Sequence, residues 1–280
     1  MIRITGRCCE ILVSSAWSGG EVKCNFPASM SGDFFLEARI KNSDDLMQLL
    51  LLGDYFKSRP LCNVKSLNIG YFPYGRADRE MQKDTENNGT VCVEANGCRA
   101  AASLIRAAFP HTHIQAIDAH NPRVLEAHGI FNVYPYFWSL IPKKDATIIA
   151  PDAGSVERAF KYFNTCGPGS NFIQCNKHRD SSGKPITVLP DGEYKETCVI
   201  VDDIIDGGRT FSDLASRLRD KGAKQIELVV THGIFSYGFD IPGIDKIHTT
   251  NTFLDKFEFK PFELDSSLFP SHVCVYKELA

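Results

Sequence analysis

The sequence predicts an α/β protein built from mainly parallel sheets that are flanked by helices. Strand-like and helix-like segments alternate along the 280 residues, which is the pattern of parallel sheets covered by helices. The composition is 43% hydrophobic and 23% charged, and a globular chain of this length can form two ordinary cores. We predict two domains, residues 1–142 and 143–280, and expect the last residues to pack back on the first domain.

The clearest elements follow one another in an alternating order. Apolar, β-branched runs that stop at polar residues or glycine predict strands, whereas apolar residues spaced by three or four positions predict helices. A glycine at position 222 is typical of the end of a helix. The predicted elements are helix 44–55, strand 64–72, helix 99–109, strand 114–118, strand 147–150, helix 155–163, strand 197–201, helix 212–221 and strand 226–231.

Two polar segments interrupt this order. Segment 80–89 lacks periodicity, and segment 177–192 contains Ser-Ser-Gly, two prolines and Asp-Gly. Such composition is typical of loops. We predict that both segments are mobile loops over a functional site.

The net charge and the cysteines indicate which binding partners and which cellular compartment to expect for the protein. The net charge of −3 provides no broad basic surface, which argues against a duplex nucleic acid as a partner. The ten cysteines are scattered and form no Cys-x-x-Cys pair, so we expect reduced thiols in the cytoplasm. Arg3 and Arg7 interrupt any signal-peptide core, and the apolar run 46–52 is too short to span a bilayer. We therefore expect no membrane partner.

The segment after strand 197–201 says most about function. In chain order it contains Asp202, Asp203, Asp206, Gly207, Gly208, Arg209 and Thr210. Glycines allow a tight turn, so backbone N–H groups and the following helix N-terminus can point at a phosphate. The carboxylates can accept hydrogen bonds from vicinal ribose hydroxyls or can bind Mg²⁺. The segment therefore predicts a sugar-phosphate site.

A turn with two arginines follows strand 64–72. It contains Arg76, Asp78 and Arg79 beside Phe72 and Tyr74. The planar fork of arginine donates two hydrogen bonds at once to a polyphosphate, and an aromatic ring can stack on a purine. A surface turn with an Arg–Asp ion pair is the alternative.

Other candidate groups follow further strands. His120 comes after strand 114–118, where a neutral imidazole is either hydrogen-bonded within the protein or bound to a metal or a triphosphate. Asp152 follows strand 147–150 in a loop of small residues, where its carboxylate could contact a metal. Ser155 is a good helix N-cap. Lys177 and Arg179 open the loop 177–192, where they are either solvated or close over a site.

Together these motifs resemble those of the ribose-phosphate pyrophosphokinases. The segment 202–210 is similar to the phosphoribosyl-pyrophosphate loop that these enzymes share with type I phosphoribosyltransferases, although Gly207 replaces the usual Thr or Ser. Asp33 and Glu37 are candidates for the family's early adenine-side turn. The other matching motifs lie, in the family's order, at 74–79, 118–120, 151–155, 177–179 and 231–236, and we expect the last of them to have a structural role.

The resemblance implies two phosphoribosyltransferase-like domains and a reaction. The expected activity is the Mg²⁺-dependent transfer of the β,γ-diphosphoryl group of ATP to ribose 5-phosphate. The roles implied are catalysis for Lys177 and Arg179; ATP binding for Arg76, Asp78, Arg79 and His120; metal binding for His120 and Asp152; ribose 5-phosphate binding for Asp202, Asp203, Asp206, Gly207, Gly208, Arg209 and Thr210.

The resemblance also implies a homo-oligomer, a dimer or a hexamer, and leaves two alternatives. A type I phosphoribosyltransferase would use the same loop to bind phosphoribosyl pyrophosphate, but the Arg76 turn, His120 and the Lys177 loop would then lack a purpose. A non-catalytic regulatory subunit would be expected to lack the basic pair or the metal residues, and this chain has both.

Overall fold

The computed structural model describes residues 2–5, 13–26, 30–84, 91–179, 185–254 and 270–278. The chain divides into two compact units, essentially Met1–Val133 and Tyr134–Glu278. Each unit contains its own sheet and helices, which confirms the predicted α/β class.

The first unit contains a five-stranded sheet. Its strands, in spatial order, are β1 (Ile2–Thr5), β4 (Gly32–Ala38), β5 (Cys62–Ile69), β8 (His113–Ile117) and β9 (Ile130–Val133). The pairing of β1 with β4 is antiparallel, and the other pairings are parallel. The carboxyl ends of β4, β5, β8 and β9 therefore lie at the same edge of the sheet.

The helices of this unit pack on one face of the sheet. They are α1 (Ser43–Lys57), α2 (Gly97–Ala108) and α3 (Pro122–Glu126). Since β4, β5, β8 and β9 follow one another in a single direction, right-handed crossovers place all three helices on the same side. Alternate strand residues such as Leu36, Leu67 and Ile114 fill the core against them. The opposite face carries the exposed rings of Phe35 and Phe131.

Two hairpins complete the described part of the first unit. Strands β2 (Val13–Ala16) and β3 (Val22–Asn25) form one, and β6 (Met81–Asp84) and β7 (Val91–Glu94) form the other. The prediction of an irregular loop at 80–89 was therefore wrong for residues 81–84, because an antiparallel partner pairs their backbone groups. Residues 85–90 lie outside the described residues.

The second unit contains a six-stranded, entirely parallel sheet. In spatial order its strands are β11 (Asn171–Gln174), β10 (Ala146–Ala150), β14 (Thr197–Ile205), β15 (Gln225–Gly233), β16 (Lys246–Thr250) and β17 (Val273–Tyr276). A 3₁₀ helix, Tyr136–Leu140, precedes it. The last strand pairs with β16, so residues 273–276 belong to this sheet.

Helices cover both faces of this sheet. On β14, Val199 and Val201 pack on the face that carries α4 (Val156–Phe163), and Cys198 and Ile200 pack on the face that carries α5 (Arg209–Asp220). Burial on both faces explains why the strand is a continuous apolar run without alternation.

The predicted loop at 177–192 contains a third hairpin. Strand β12 (Asn176–Arg179) pairs antiparallel with β13 (Pro185–Val188), so the prediction of an irregular loop was wrong over these residues. Residues 180–184 lie outside the described residues. A Pro at the start of an edge strand costs no ladder hydrogen bond, so its presence did not exclude a strand.

The other predicted strands and helices are confirmed within a few residues. None of the helices in the described ranges combines the length and apolar composition needed to cross a bilayer. Within the described ranges, seven cysteines are free thiols: Cys24, Cys62, Cys98, Cys166, Cys175, Cys198 and Cys274.

A buried ionic network links three strands of the second sheet. Nζ of Lys143 lies 2.6 Å from Oε2 of Glu227, and Nε2 of His248 lies 2.8 Å from the same oxygen. The Tyr276 hydroxyl lies 2.9 Å from Nδ1 of His248. Although burial alone would raise it, the hydrogen bonds from His248 and Lys143 lower the pKa of Glu227 to about 2. Burial also lowers the pKa of His248, so this histidine donates to Glu227 as a neutral ring.

Candidate functional site

The acidic candidates of the second unit lie where the strand order of its sheet reverses, between β10 and β14. From β10 the chain crosses through α4 to β11 on one side, whereas from β14 it crosses through α5 to β15 on the other. In open α/β sheets, ligands bind at the carboxyl ends of the strands at such a switch point. Asp152 follows β10, and Asp202 and Asp203 lie near the end of β14. The sheet thus brings these three predicted residues to one edge.

A buried ion pair positions one of the two adjacent carboxylates. Nη1 of Arg158 lies 3.1 Å from Oδ1 of Asp203, and both side chains are about 5% exposed or less. Arg158 belongs to α4, the helix that follows the Asp152 loop. The pair therefore ties α4 to the acidic end of β14.

Asp202 lies in a different environment from Asp203. It is half-buried, and its Oδ1 accepts a hydrogen bond of 2.9 Å from the backbone N–H of Asp203. Loss of hydration and the charge of Asp203 raise the pKa of Asp202 well above its ordinary range, although the positive charge of Arg158 opposes them. Asp152 adds to this increase. The edge of the sheet therefore concentrates negative charge, which favours binding of hydroxyl donors or a divalent cation.

The Asp152 loop is closed by its own hydrogen bonds. Oδ1 of Asp152 accepts from the backbone N–H groups of Gly154 at 2.9 Å and Ser155 at 3.2 Å. The Ser155 hydroxyl donates to the Asp152 carbonyl at 2.8 Å. Ser155 occupies the predicted N-cap position of α4, although its side chain makes no cap hydrogen bond to the helix. Asp152 therefore engages the backbone N–H groups of its own loop.

The glycine loop between β14 and α5 is tightly constrained. Gly208 is the N-cap of α5 and has a φ of +74°, which favours glycine. A Cβ at Gly208 would collide with Ile241, and a Cβ at Gly207 would lie 2.9 Å from the Tyr237 ring. Arg209 and Thr210 form the first turn of α5 rather than a loop. Since the first N–H groups of a helix have no intrahelical partner, this turn is suited to an anion.

Asp206 is held by the segment that follows β15. The Ser236 hydroxyl donates a hydrogen bond to Oδ1 of Asp206. The motif at 231–236 therefore positions the third acidic residue of the loop.

In the first unit, the arginine turn and His120 lie at neighbouring strand ends. The turn follows β5 and His120 follows β8, which is parallel to β5. A Cβ at Gly75 would lie 3.6 Å from Cβ of His120. Arg76 and His120 are both exposed. The fold thus brings the predicted ATP-binding residues of this unit together.

Asp78 has internal partners instead of an open carboxylate. Its Oδ2 accepts from Nδ2 of Asn121 at 2.9 Å, and its carbonyl accepts from Nδ2 of Asn96 at 2.7 Å. Nε of Arg79 lies 3.5 Å from Oδ1 of Asp78, while 75% of the Arg79 side chain is exposed. Asp78 therefore fastens the turn to the strand end after β8, and Arg79 faces solvent.

The remaining candidates are Asp33 and Glu37 in the first unit and Lys177 and Arg179 in the second. Asp33 is at the start of β4, opposite the edge that carries the arginine turn, and it pairs with Lys65 at 3.5 Å. Glu37 is near the end of β4, beside Asn68 in the register. For Lys177 and Arg179 the structure describes the backbone in β12 only.

The sequence did not point to Arg158 or Tyr237, and it indicated Ser236 only as part of the motif 231–236. Arg158 carried a signal, since Ser155, Arg158, Ala159 and Tyr162 have the spacing of one buried helix face. An arginine on such a face requires a buried acidic partner. The contacts of Ser236 and Tyr237 depend on a turn 30 residues beyond the glycine loop, so the sequence near the glycine loop does not indicate either partner.

The fold and the glycine loop define a phosphoribosyltransferase-type protein. The family model described as a phosphoribosyl transferase domain matches residues 116–267. The ribose-phosphate pyrophosphokinase of Mycoplasmopsis pulmonis is 31% identical over 246 residues, which cover 81% of this chain and 71% of the relative. The chain belongs to the ribose-phosphate pyrophosphokinase family.

Two further comparisons agree with this assignment. The ribose-phosphate pyrophosphokinase of Aquifex aeolicus is 28% identical over 256 residues, covering 86% of this chain and 76% of the relative. The crystal structure of phosphoribosylpyrophosphate synthetase from Mycobacterium smegmatis has a TM-score of 0.67 and 20% identity, and the match covers 95% of this chain and 86% of that chain. At that identity, the structural likeness speaks for the fold alone.

Proposed function

We propose that the protein transfers the β,γ-diphosphoryl group of ATP to the anomeric hydroxyl of ribose 5-phosphate, which gives phosphoribosyl pyrophosphate and AMP. The observation that carries the proposal is the carboxyl end of β14 together with the loop that joins it to α5. It combines three carboxylates, a glycine with positive φ and a helix N-terminus in a chain 31% identical to a ribose-phosphate pyrophosphokinase.

The second unit supplies groups suited to ribose 5-phosphate. The first turn of α5, with Gly207, Gly208, Arg209 and Thr210, would bind the 5-phosphate, because helix N-terminal amides, a hydroxyl and a guanidinium all favour an anion. Asp202 and Asp203 would accept hydrogen bonds from the ribose hydroxyls. Asp206 would hold the loop in this conformation through Ser236.

The first unit supplies groups suited to ATP. Arg76 and Arg79 are exposed guanidiniums on one turn, and each can donate two hydrogen bonds to phosphate oxygens. His120 lies beside the same turn. Asp78 would act as a positioning residue, since its carboxylate is bonded to Asn121.

The residues present are of the right type for Mg²⁺. Among the described residues, no group of three or more His, Cys, Asp or Glu could hold a metal by itself. Mg²⁺ commonly takes only one or two protein ligands and completes its shell with water and substrate phosphates. Asp152 in the second unit and His120 in the first are each a proposed ligand. The ion, when bound, would offset the charge of the phosphate oxygens.

Catalysis would rest on positioning and charge neutralisation. Transfer requires in-line attack of the anomeric oxygen on the β-phosphorus, with AMP leaving. Negative charge develops on the transferring and leaving oxygens, so Lys177 and Arg179 at the start of the β12–β13 hairpin would stabilise them. We also expect a homo-oligomer, a dimer or a hexamer, that acts in the cytoplasm.

One assay tests the reaction directly. Purified protein is incubated with ATP, Mg²⁺ and ribose 5-phosphate while phosphorus resonances are followed. The proposal requires a new anomeric diphosphate signal and an equal amount of AMP. Product only from a free base plus phosphoribosyl pyrophosphate would instead identify a phosphoribosyltransferase, and no product in either assay would point to a regulatory subunit.

A further inference from the structure

The turn after β15 contacts the glycine loop at three successive positions. The Ser236 hydroxyl hydrogen-bonds Asp206, the ring of Tyr237 lies against Gly207, and Ile241 lies against Gly208. This turn, residues 236–241, therefore forms one wall of the loop that leads into α5.

Tyr237 is fixed in place yet open to solvent. The turn that carries it is closed by a hydrogen bond of 3.0 Å from the Gly238 N–H to the Phe235 carbonyl. Phe235 and Gly238 both have positive φ, and the rings of Phe235 and Phe239 lie 4.7 Å apart. Even so, Tyr237 is 88% exposed. A ring this exposed adds little hydrophobic stabilisation. Its position on an ordered turn therefore has another explanation.

The ring occupies the space that a side chain at position 207 would need. A Cβ on Gly207 would lie 2.9 Å from Cδ2 and 3.0 Å from Cε2 of Tyr237. Gly207 itself has no side chain that could donate a hydrogen bond to a ligand. The chain instead places a phenol directly against this position.

We propose that Tyr237 is a substrate-binding residue that closes the sugar-phosphate site and donates its hydroxyl to ribose 5-phosphate. The inference rests on the proposed function and deepens it by adding a residue of this chain to the site. Gly207 and Tyr237 form a matched pair, because the ring can lie on the loop only when position 207 has no side chain. A phenol carried by a closed turn beside the helix N-terminus supplies a donor whose backbone is already ordered, which lowers the entropy cost of binding.

Substitutions at the pair separate binding from structure. Tyr237→Phe removes only the hydroxyl and should raise the KM for ribose 5-phosphate roughly tenfold, the effect of losing one hydrogen bond to a charged group. Tyr237→Ala also removes the ring and should raise that KM further. The KM for ATP and the melting temperature should stay near wild-type values, because the ring is exposed. Tyr136→Phe is the matched control, since Tyr136 is an exposed tyrosine of the same unit, and it should leave both KM values unchanged.

A reciprocal variant tests the steric pairing. Gly207→Ser should raise the KM for ribose 5-phosphate because its Cβ meets the ring, and Gly207→Ser combined with Tyr237→Ala should bind better than either single variant. Ribose 5-phosphate KM values within twofold of wild type for Tyr237→Phe and Tyr237→Ala would overturn the inference while leaving the proposed function intact. A wild-type protein that forms no phosphoribosyl pyrophosphate would instead overturn the proposed function, and the inference with it.

Discussion

Nη1 of Arg158 lies 3.1 Å from Oδ1 of Asp203 in an almost fully buried ion pair. The pair links the helix after the Asp152 loop to the strand that carries the acidic residues. Because neither charge can be hydrated, each depends on the other.

Loss of Arg158 should therefore be costly. Arg158→Met leaves Asp203 buried without its cation, so we expect the free energy of unfolding to fall by about 3–5 kcal/mol. Chemical denaturation measures this. Combining Arg158→Met with Asp203→Asn should restore most of the stability but not the activity. Arg217→Met, at an exposed position on α5, is the control and should change little. An Arg158→Met protein as stable as the control would contradict a tightly coupled pair.

We expect Asp202 to lower the free energy of unfolding at pH 7 and to contribute to ribose 5-phosphate binding. Its folded pKa is raised, so its stabilising contribution is complete below the ordinary Asp pKa of about 4 and is lost as pH rises through the folded pKa. Asp202→Asn should thus exceed wild type in free energy of unfolding at pH 7, with the difference shrinking toward pH 4. It should also bind ribose 5-phosphate more weakly. Asp220→Asn, at an exposed carboxylate of α5, should show neither effect. A pH-independent difference would exclude Asp202 as its source.

Gly208 should tolerate no side chain. Its left-handed conformation costs a non-glycine residue about 1–2 kcal/mol, and a Cβ would also meet Ile241. Gly222→Ala is a matched control because Gly222 has a φ of +96° but no atom within 4 Å of the position that a Cβ would take. Thermal unfolding should show a larger loss for Gly208→Ala, and Ile241→Ala should reduce that excess. Equal losses at the two glycines would argue against the clash.

Lys177 should act on the chemical step. We expect Lys177→Ala to lower kcat by roughly several hundredfold or more, because a cation at the transferring phosphoryl group acts mainly in the transition state. Ribose 5-phosphate affinity should change little. Lys224→Ala, at an exposed lysine, provides the control in steady-state kinetics. A near-normal kcat for Lys177→Ala would remove this residue from the mechanism.

Glu227 should make stability sensitive to acid. Its folded pKa of about 2 lies below its ordinary value of 4.5, so its contribution is present above pH 4.5 and is lost as pH falls through 2. Glu227→Gln should therefore cost more stability at pH 7 than at pH 3, measured by chemical denaturation. Glu196→Gln removes an exposed partner of Lys224 and should cost little at either pH. Equal costs for Glu227→Gln at both pH values would contradict the ionised network.

The sequence revealed those features whose causes are local. The run into Asp202 and the glycines after Asp206 are contiguous, so strand, loop and helix could be predicted from them. The ion pair of Arg158 joins residues 45 positions apart, and no local pattern indicates its partner.

Short strands were the main elements missed, both the antiparallel ones and the parallel strands β9, β11, β16 and β17. Strands β1 to β4 and the hairpins at 81–94 and 176–188 are mostly four residues long, too short for a period of two to be distinguished from a polar loop. Their pairing comes from the partner strand rather than from their own composition. The same reason explains why the sequence predicted an irregular loop at Lys177.

Strand β14 has hydrogen-bonded neighbours on both sides and apolar layers above and below. Such a strand is among the last parts of a unit to open in local unfolding. Its amides should exchange with deuterium more slowly than those of the β12–β13 hairpin. The sugar would thus bind to carboxylates that are already immobile. The entropy cost of ordering these side chains would then fall on folding rather than on binding.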